Sequence, residues 1–113
     1  MPFIHLSITG KLEPDKKAGL ADDIAKLVSL IPGKPYEKTM VRIDDGCEIF
    51  RAGKPADCAF METRLKKPCD HEKEVEYTEK LFKLFEEKLG LPAAAVYFTI
   101  IETDYWGSRG TLH

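Results

Sequence analysis

The feature that most constrains this chain is a repeat. One shift of 57 positions carries Phe3 onto Phe60, Ile24 onto Leu81, Gly33 onto Gly90, Pro35 onto Pro92 and Val41 onto Phe98. Matches at a single offset mark an internal duplication, and the periodicity within each copy reads strand, helix, strand. The first copy predicts a strand over 3–9, a helix over 15–31 and a strand over 38–44. The second predicts a strand over 58–66, a helix over 70–89 and a strand over 95–102. The units span about 2–45 and 58–102, and the 113 residues form a single domain, too short for a second core.

Each helix carries an apolar stripe: Ala21, Ile24, Ala25, Val28 and Ile31 in the first, Thr78, Leu81, Phe82, Phe85 and Leu89 in the second. Each is followed by Gly-x-Pro. Gly33 and Gly90 suit a left-handed C-terminal cap, and Pro35 and Pro92 prevent the helix from continuing. The strands align by parity. Ile4, Leu6, Ile8, Met61, Leu65, Val41, Ile43, Phe98 and Ile100 share one face, which two helices would cover. The expected fold class is therefore α/β of the two-layer α+β kind, a tandem β-α-β repeat. Its four-stranded mixed sheet is covered by two helices on one face.

The other face mixes Phe3, Phe60, Met40, Tyr97 and Ile101 with His5, Ser7, Glu62, Arg64, Arg42 and Thr99. Such a surface is poorly suited to bulk water, and no third layer is left in the sequence, so another subunit is expected to cover it. Between the repeats, Glu48 to Arg51 reads as a short edge strand. That strand and the tail "DYWGSRGTLH" are both candidates to pair with a neighbour.

A formal net charge of −2 shows no basic excess that would advertise nucleic acid. No apolar run reaches membrane-spanning length, and the start is not a signal sequence. No nucleic-acid or membrane partner is expected, and the location expected is cytoplasmic. Cys47, Cys58 and Cys69 are odd in number and lack a C-x-x-C pair, which reads as reduced structural thiols. The run Cys69-Asp70-His71 invites a metal reading, but adjacent residues seldom converge on one ion, and Asp70 is better placed as a helix N-cap. No metal site is expected.

Proline at position 2 has two readings. It can simply begin a strand where no donor is missed. If Met1 is removed, it becomes an N-terminal secondary amine, whereas a retained Met1 leaves its nitrogen a non-basic amide. Pro2 behind Met1, the doubled β-α-β unit, "PGKP" after the first helix, "LPAAAVYFTI" after the second, and the ending Trp106-Gly107-x-x-Gly110-Thr111 together resemble the tautomerase superfamily. Within it the chain is most similar to the branch of macrophage migration inhibitory factor. The resemblance covers nearly the whole chain. It implies a homotrimer with sheets facing inward, active sites at subunit boundaries, no cofactor, and the N-terminal proline as base.

The activity implied is keto–enol tautomerisation of a small α-keto acid such as phenylpyruvate, an isomerase reaction. Its base must be unprotonated near neutral pH, and an apolar pocket or a nearby cation lowers an amine's pKa to that end. The resemblance makes Pro2 the base, Lys34 the substrate-carboxylate anchor and Tyr97 a pocket hydroxyl from an adjacent subunit. It places a substrate-binding backbone group around Leu65 and Lys66, and puts Thr99 where the mammalian factor has asparagine. Trp106 stands at the tail position. That factor's C-x-x-C is absent, since Cys58 is followed by Ala59, Phe60 and Met61, and the tail is shorter. A second reading uses Pro2 with Arg64, and Lys66 two residues on, for decarboxylation, hydration or dehalogenation of a three-carbon acid. Malonate semialdehyde decarboxylases and chloroacrylate dehalogenases do so with paired arginines. A third is a cytokine-like binding protein with a vestigial site.

Overall fold

The computed structural model describes residues 1–113. In chain order the elements are β1 (Phe3–Ile8), α1 (Pro14–Val28), β2 (Met40–Asp44), β3 (Phe50–Arg51), β4 (Lys54–Pro55), β5 (Ala59–Lys66), α2 (His71–Leu89), β6 (Val96–Thr103), β7 (Gly107–Ser108) and β8 (Thr111–Leu112). The main sheet has the order β2-β1-β5-β6. Within each repeat the strands are parallel, β1 with β2 and β5 with β6, and the repeats join through an antiparallel β1–β5 pair. In that pair His5 stands opposite Glu62, its own equivalent in the second copy, so the axis relating the two units passes between them.

Both helices lie on one face, as the parity requires. Ile4, Leu6, Ile8, Met61 and Leu65 pack against Leu20, Ile24, Val28 and Ile31 from the first helical segment and Tyr77, Leu81 and Phe85 from the second. Phe98 meets Phe82 and Phe85 edge-on at centroid distances of 4.8 and 5.2 Å. The second stripe is centred on Tyr77, which is fully buried, rather than on half-buried Thr78. The Tyr77 hydroxyl meets Thr63 Oγ1 at 2.8 Å inside the core. Burial pushes the Tyr77 phenol well above its usual range.

The caps differ between copies. Asp70 accepts the Lys73 N–H at 3.2 Å as the N-cap of α2. Gly90, at φ 66°, closes its end: the Leu91 N–H bonds back to the Phe85 carbonyl at 3.3 Å. In the first copy α1 stops at Val28, capped by Ser29, and residues to Ile31 continue only as turns. Gly33 does adopt φ 79°, but beyond those turns rather than as the helix cap. The start of α1 lacks a side-chain N-cap. Instead Asp45 accepts the Leu12 N–H and the Lys17 ammonium, both at 2.8 Å, which holds its carboxyl down at about 2.

The expected strand at Glu48–Arg51 is a two-residue strand, β3, folded against β4. The tail likewise pairs with itself, β7 against β8. Both hairpins turn on two residues with positive φ, Ala52-Gly53 and Arg109-Gly110, the geometry that matches strand twist in the tightest hairpins. The uncovered sheet face exposes Met40 at 53%, Tyr97 at 42% and Phe60 at 40%.

The Tyr77–Thr63 bond should be the sensitive polar point of the core. Tyr77→Phe strands a buried hydroxyl and should lower stability by about 1–3 kcal/mol in denaturant titration. Adding Thr63→Val should recover part of that loss; additive losses would contradict the pairing.

Candidate functional site

The site is built where β1 begins. Strand β1 is internal to the sheet, so the residue before it is held from both sides. The Pro2 carbonyl accepts the Met40 N–H at 3.1 Å, and the Pro2 side chain is fully buried. Extending the β1–β5 register by one residue sets Pro2 beside Leu65. Proline is tolerated here because it precedes the first ladder residue.

In front of Pro2, Met1 lines a cavity of about 400 Å³. One wall is Gly33, Pro35, Lys38 and Lys66; the other is the tail, with Trp106, Ser108, Arg109 and His113. The tail keeps this wall in place because Trp106 and His113 exchange backbone hydrogen bonds of 3.0 and 2.9 Å across the hairpin ends. Lys34 is 7% exposed, with Nζ donating to the Lys66 carbonyl at 2.8 Å and the Pro68 carbonyl at 3.0 Å. An ammonium has three N–H donors, so one remains for another acceptor.

Charge concentrates here although the chain is slightly acidic overall. Partial burial, and then the positive charges of Lys34, Lys38 and Lys66, lower the pKa of the Met1 amine. Each of these effects disfavours a further cation. An amine in this position keeps more of its free base at neutral pH, and an anion entering the cavity meets several donors.

The sequence candidates divide into two groups. Pro2, Lys34, Lys66 and Trp106 converge at this end of the sheet, with the Leu65 backbone beside them; the Leu65 side chain is core, and its carbonyl accepts the Thr103 hydroxyl at 3.4 Å. Tyr97, Thr99 and Arg64 do not join them within one chain. Tyr97 pairs in register with Phe60 and hence lies level with Ser7. Along the strands it is five residues from the level of Pro2, about 17 Å at the usual rise. Thr99 is three residues away, about 10 Å. Both are on the uncovered face, where the Arg51 guanidinium lies 5.6 Å from the Tyr97 ring. Arg64 faces the same way, 3.7 Å from Glu62. Also on that face, Asp44 holds His5 Nε2 at 2.6 Å and Arg42 Nε at 3.2 Å.

Sequence reasoning missed Lys38, Ser108, Arg109 and His113. The turn Tyr36–Lys38 brings Lys38 back beside Met1, and the hairpin carries Arg109 to the same cavity. Lys38 lies outside the motifs and Arg109 fills an unspecified position of the Trp-Gly ending, and both are distant along the chain from Lys66.

No family model matches the chain. It is 25% identical over 115 residues to D-dopachrome decarboxylase-B of Xenopus laevis, a match covering 99% of this chain and 97% of that one. Among solved structures it superposes on Leishmania major MIF2 with a TM-score of 0.87 at 23% identity, covering 100% of this chain and 97% of that one. The chain has the tautomerase-superfamily fold of the macrophage migration inhibitory factor-like branch. A member of the cis-3-chloroacrylic acid dehalogenase family superposes with a TM-score of 0.84 at 17% identity, covering 97% of this chain and 82% of that one.

Trp106 is the single tryptophan and lines the cavity, so it reports on occupancy. Pyruvate should change its fluorescence saturably, and added salt should weaken the binding. Lys66→Ala should raise the Kd about tenfold, the scale of one charge-assisted hydrogen bond. An unchanged Kd would contradict an anion site at this cavity.

Proposed function

We propose that this chain is a cofactor-independent keto–enol tautomerase, an isomerase of small α-keto acids such as phenylpyruvate, with Pro2 as general base once Met1 is removed. The observation that carries this reading is the N-terminal amine, depressed in basicity, at the rim of a cation-lined cavity. Removing Met1 moves the amine one residue inward, onto the fully buried Pro2, where desolvation is stronger.

In this mechanism the substrate carboxylate sits on Lys66 and the remaining N–H of Lys34. The Pro2 nitrogen takes a proton from the carbon next to the keto group, and the oxygen gains negative charge as the enol forms. Neighbouring ammonium groups stabilise that charge. The proton then returns to oxygen from the prolinium, leaving free amine for the next cycle. Trp106 walls the cavity against water.

The proposed assembly is a homotrimer working in the cytoplasm, with each site completed by a neighbour. Two observations support it. Met40, Phe60 and Tyr97 are exposed on a sheet face without a covering layer. Tyr97 and Thr99 are too far along the strand to serve Pro2 of their own chain, so they would serve a neighbour's.

The competing reading, a decarboxylase or hydratase using Pro2 with Arg64, needs the guanidinium beside the proline nitrogen. Within one chain Arg64 instead faces Glu62 on the uncovered side. The tautomerase reading is therefore preferred over it.

Native protein shown by intact mass to lack Met1 should interconvert the phenylpyruvate enol and keto forms, and Pro2→Ala should lose at least about 100-fold in kcat/KM. Equal rates would defeat the mechanism. Decarboxylation of a semialdehyde that fails in Arg64→Ala would establish the competing reading. For the tautomerase, kcat/KM should rise with pH through an apparent pKa below the ordinary α-amino range of about 7.7–8.0. The sign follows from the base: protonated prolinium is inactive, so activity is lost below its pKa. Lys34→Ala removes a positive charge and should move that pKa upward.

A further inference from the structure

A second cluster lies where the N-terminal turn of α2 meets the end of β6, with the Cys69 thiol donating at 3.6 Å to the Lys66 carbonyl that also accepts Lys34 Nζ. The sulfur of Cys69 and one carboxylate oxygen each from Glu74 and Glu102 lie within 4.8 Å of one another. His71 joins at the rim, its Nδ1 3.6 Å from Glu74 Oε1 and its side chain 87% exposed. A cavity of about 420 Å³, lined in part by His71, Glu74 and Glu102, opens above them.

Glu74 is the unusual member. Its side chain is 5% exposed, yet its Oε2 has no hydrogen-bond partner. A buried acceptor without a donor is costly, and a buried carboxylate more so. No lysine or arginine pairs with Glu74 or Glu102; Glu74 meets only the exposed imidazole of His71 and the carboxyl of Glu102 itself. Lys34, the buried lysine beside this loop, is turned to the carbonyls of Lys66 and Pro68.

We propose that Cys69, Glu74 and Glu102, with His71 as rim ligand, bind a divalent transition metal of the zinc class. A thiolate and an imidazole among the donors select a borderline or soft cation over calcium or magnesium. Metal–ligand distances of about 2.0–2.3 Å separate tetrahedral donors by about 3.3–3.8 Å, so the cluster must contract by about 1 Å. Glu102 is exposed and His71 is at the rim, so both can rotate inward while Glu74 and Cys69 stay in place. The short run Cys69-Asp70-His71 does not make this site, because Asp70 is committed to capping Lys73. Its other carboxylates come from one helical turn later and from β6. The site shares no residue with the cavity around Met1, and the proposal stands independently of the tautomerase reading.

The test uses the full chain without a histidine tag, stripped with EDTA and titrated with zinc chloride by calorimetry and with cobalt(II) by absorption. One metal per chain should bind, raise the Tm, and with cobalt give a thiolate charge-transfer band and tetrahedral visible bands. Cys69→Ser should abolish the charge-transfer band, and Glu74→Gln and Glu102→Gln should each weaken zinc at least tenfold. Because Glu102 is exposed, its variant keeps the test open if Glu74→Gln fails to fold. No binding by the wild-type chain would overturn the site. So would a charge-transfer band that survives Cys69→Ser, since the metal would then sit on Cys47 or Cys58.

Discussion

Everything at the candidate site depends on β1 being an interior strand. It is held on one side by β2 and on the other by β5, so its first residue is fixed inside the sheet instead of fraying as chain ends usually do. That fixation places an N-terminal group against apolar packing and beside a lysine-bearing turn. A proline can stand there because the ladder starts one residue later. The same antiparallel β1–β5 pairing joins the two repeat units, so the symmetry of the fold and the position of the amine have one origin.

The electrostatics follow from that position. Lys34 reaches the site from the turn after the first helical segment, Lys66 from the end of β5, Lys38 from a short 3-10 turn and Arg109 from the tail hairpin. Lys38, Lys66 and Arg109 are separately ordinary surface-type cations, whereas Lys34 is buried. The three lysines depress a nearby amine, and with Arg109 they attract an anion, two effects that suit proton abstraction from a keto acid. The second cluster, around Glu74, is the opposite case: carboxylates gathered without a matching cation.

Much of the fold was legible because the repeat constrains it twice. Strand parity placed Ile4, Leu6, Met61 and Leu65 on the helix side, and Asp70 and Gly90 marked the ends of α2 through local chemistry that sequence states directly. Where one copy departs from the other, legibility failed. The first helix ends at Val28 rather than at the glycine equivalent to Gly90, since Pro32 and the turns before Gly33 intervene. Tyr77 was hidden because its burial depends on a hydroxyl partner, Thr63, on a different strand. At the site, Pro2 and Lys34 could be singled out in advance, while Lys38 and Arg109 could not, because only tertiary folding brings them together. Glu74 escaped notice for the same reason.

The proposed reactive group is a free Pro2 amine, lowered in basicity by burial and by surrounding cations. Its most direct test is a pH titration of the Pro2 nitrogen by NMR, on ¹⁵N-proline-labelled protein whose intact mass shows that Met1 is gone. The Pro2 nitrogen should titrate below the ordinary α-amino range of about 7.7–8.0. Titration within or above that range would contradict the proposal.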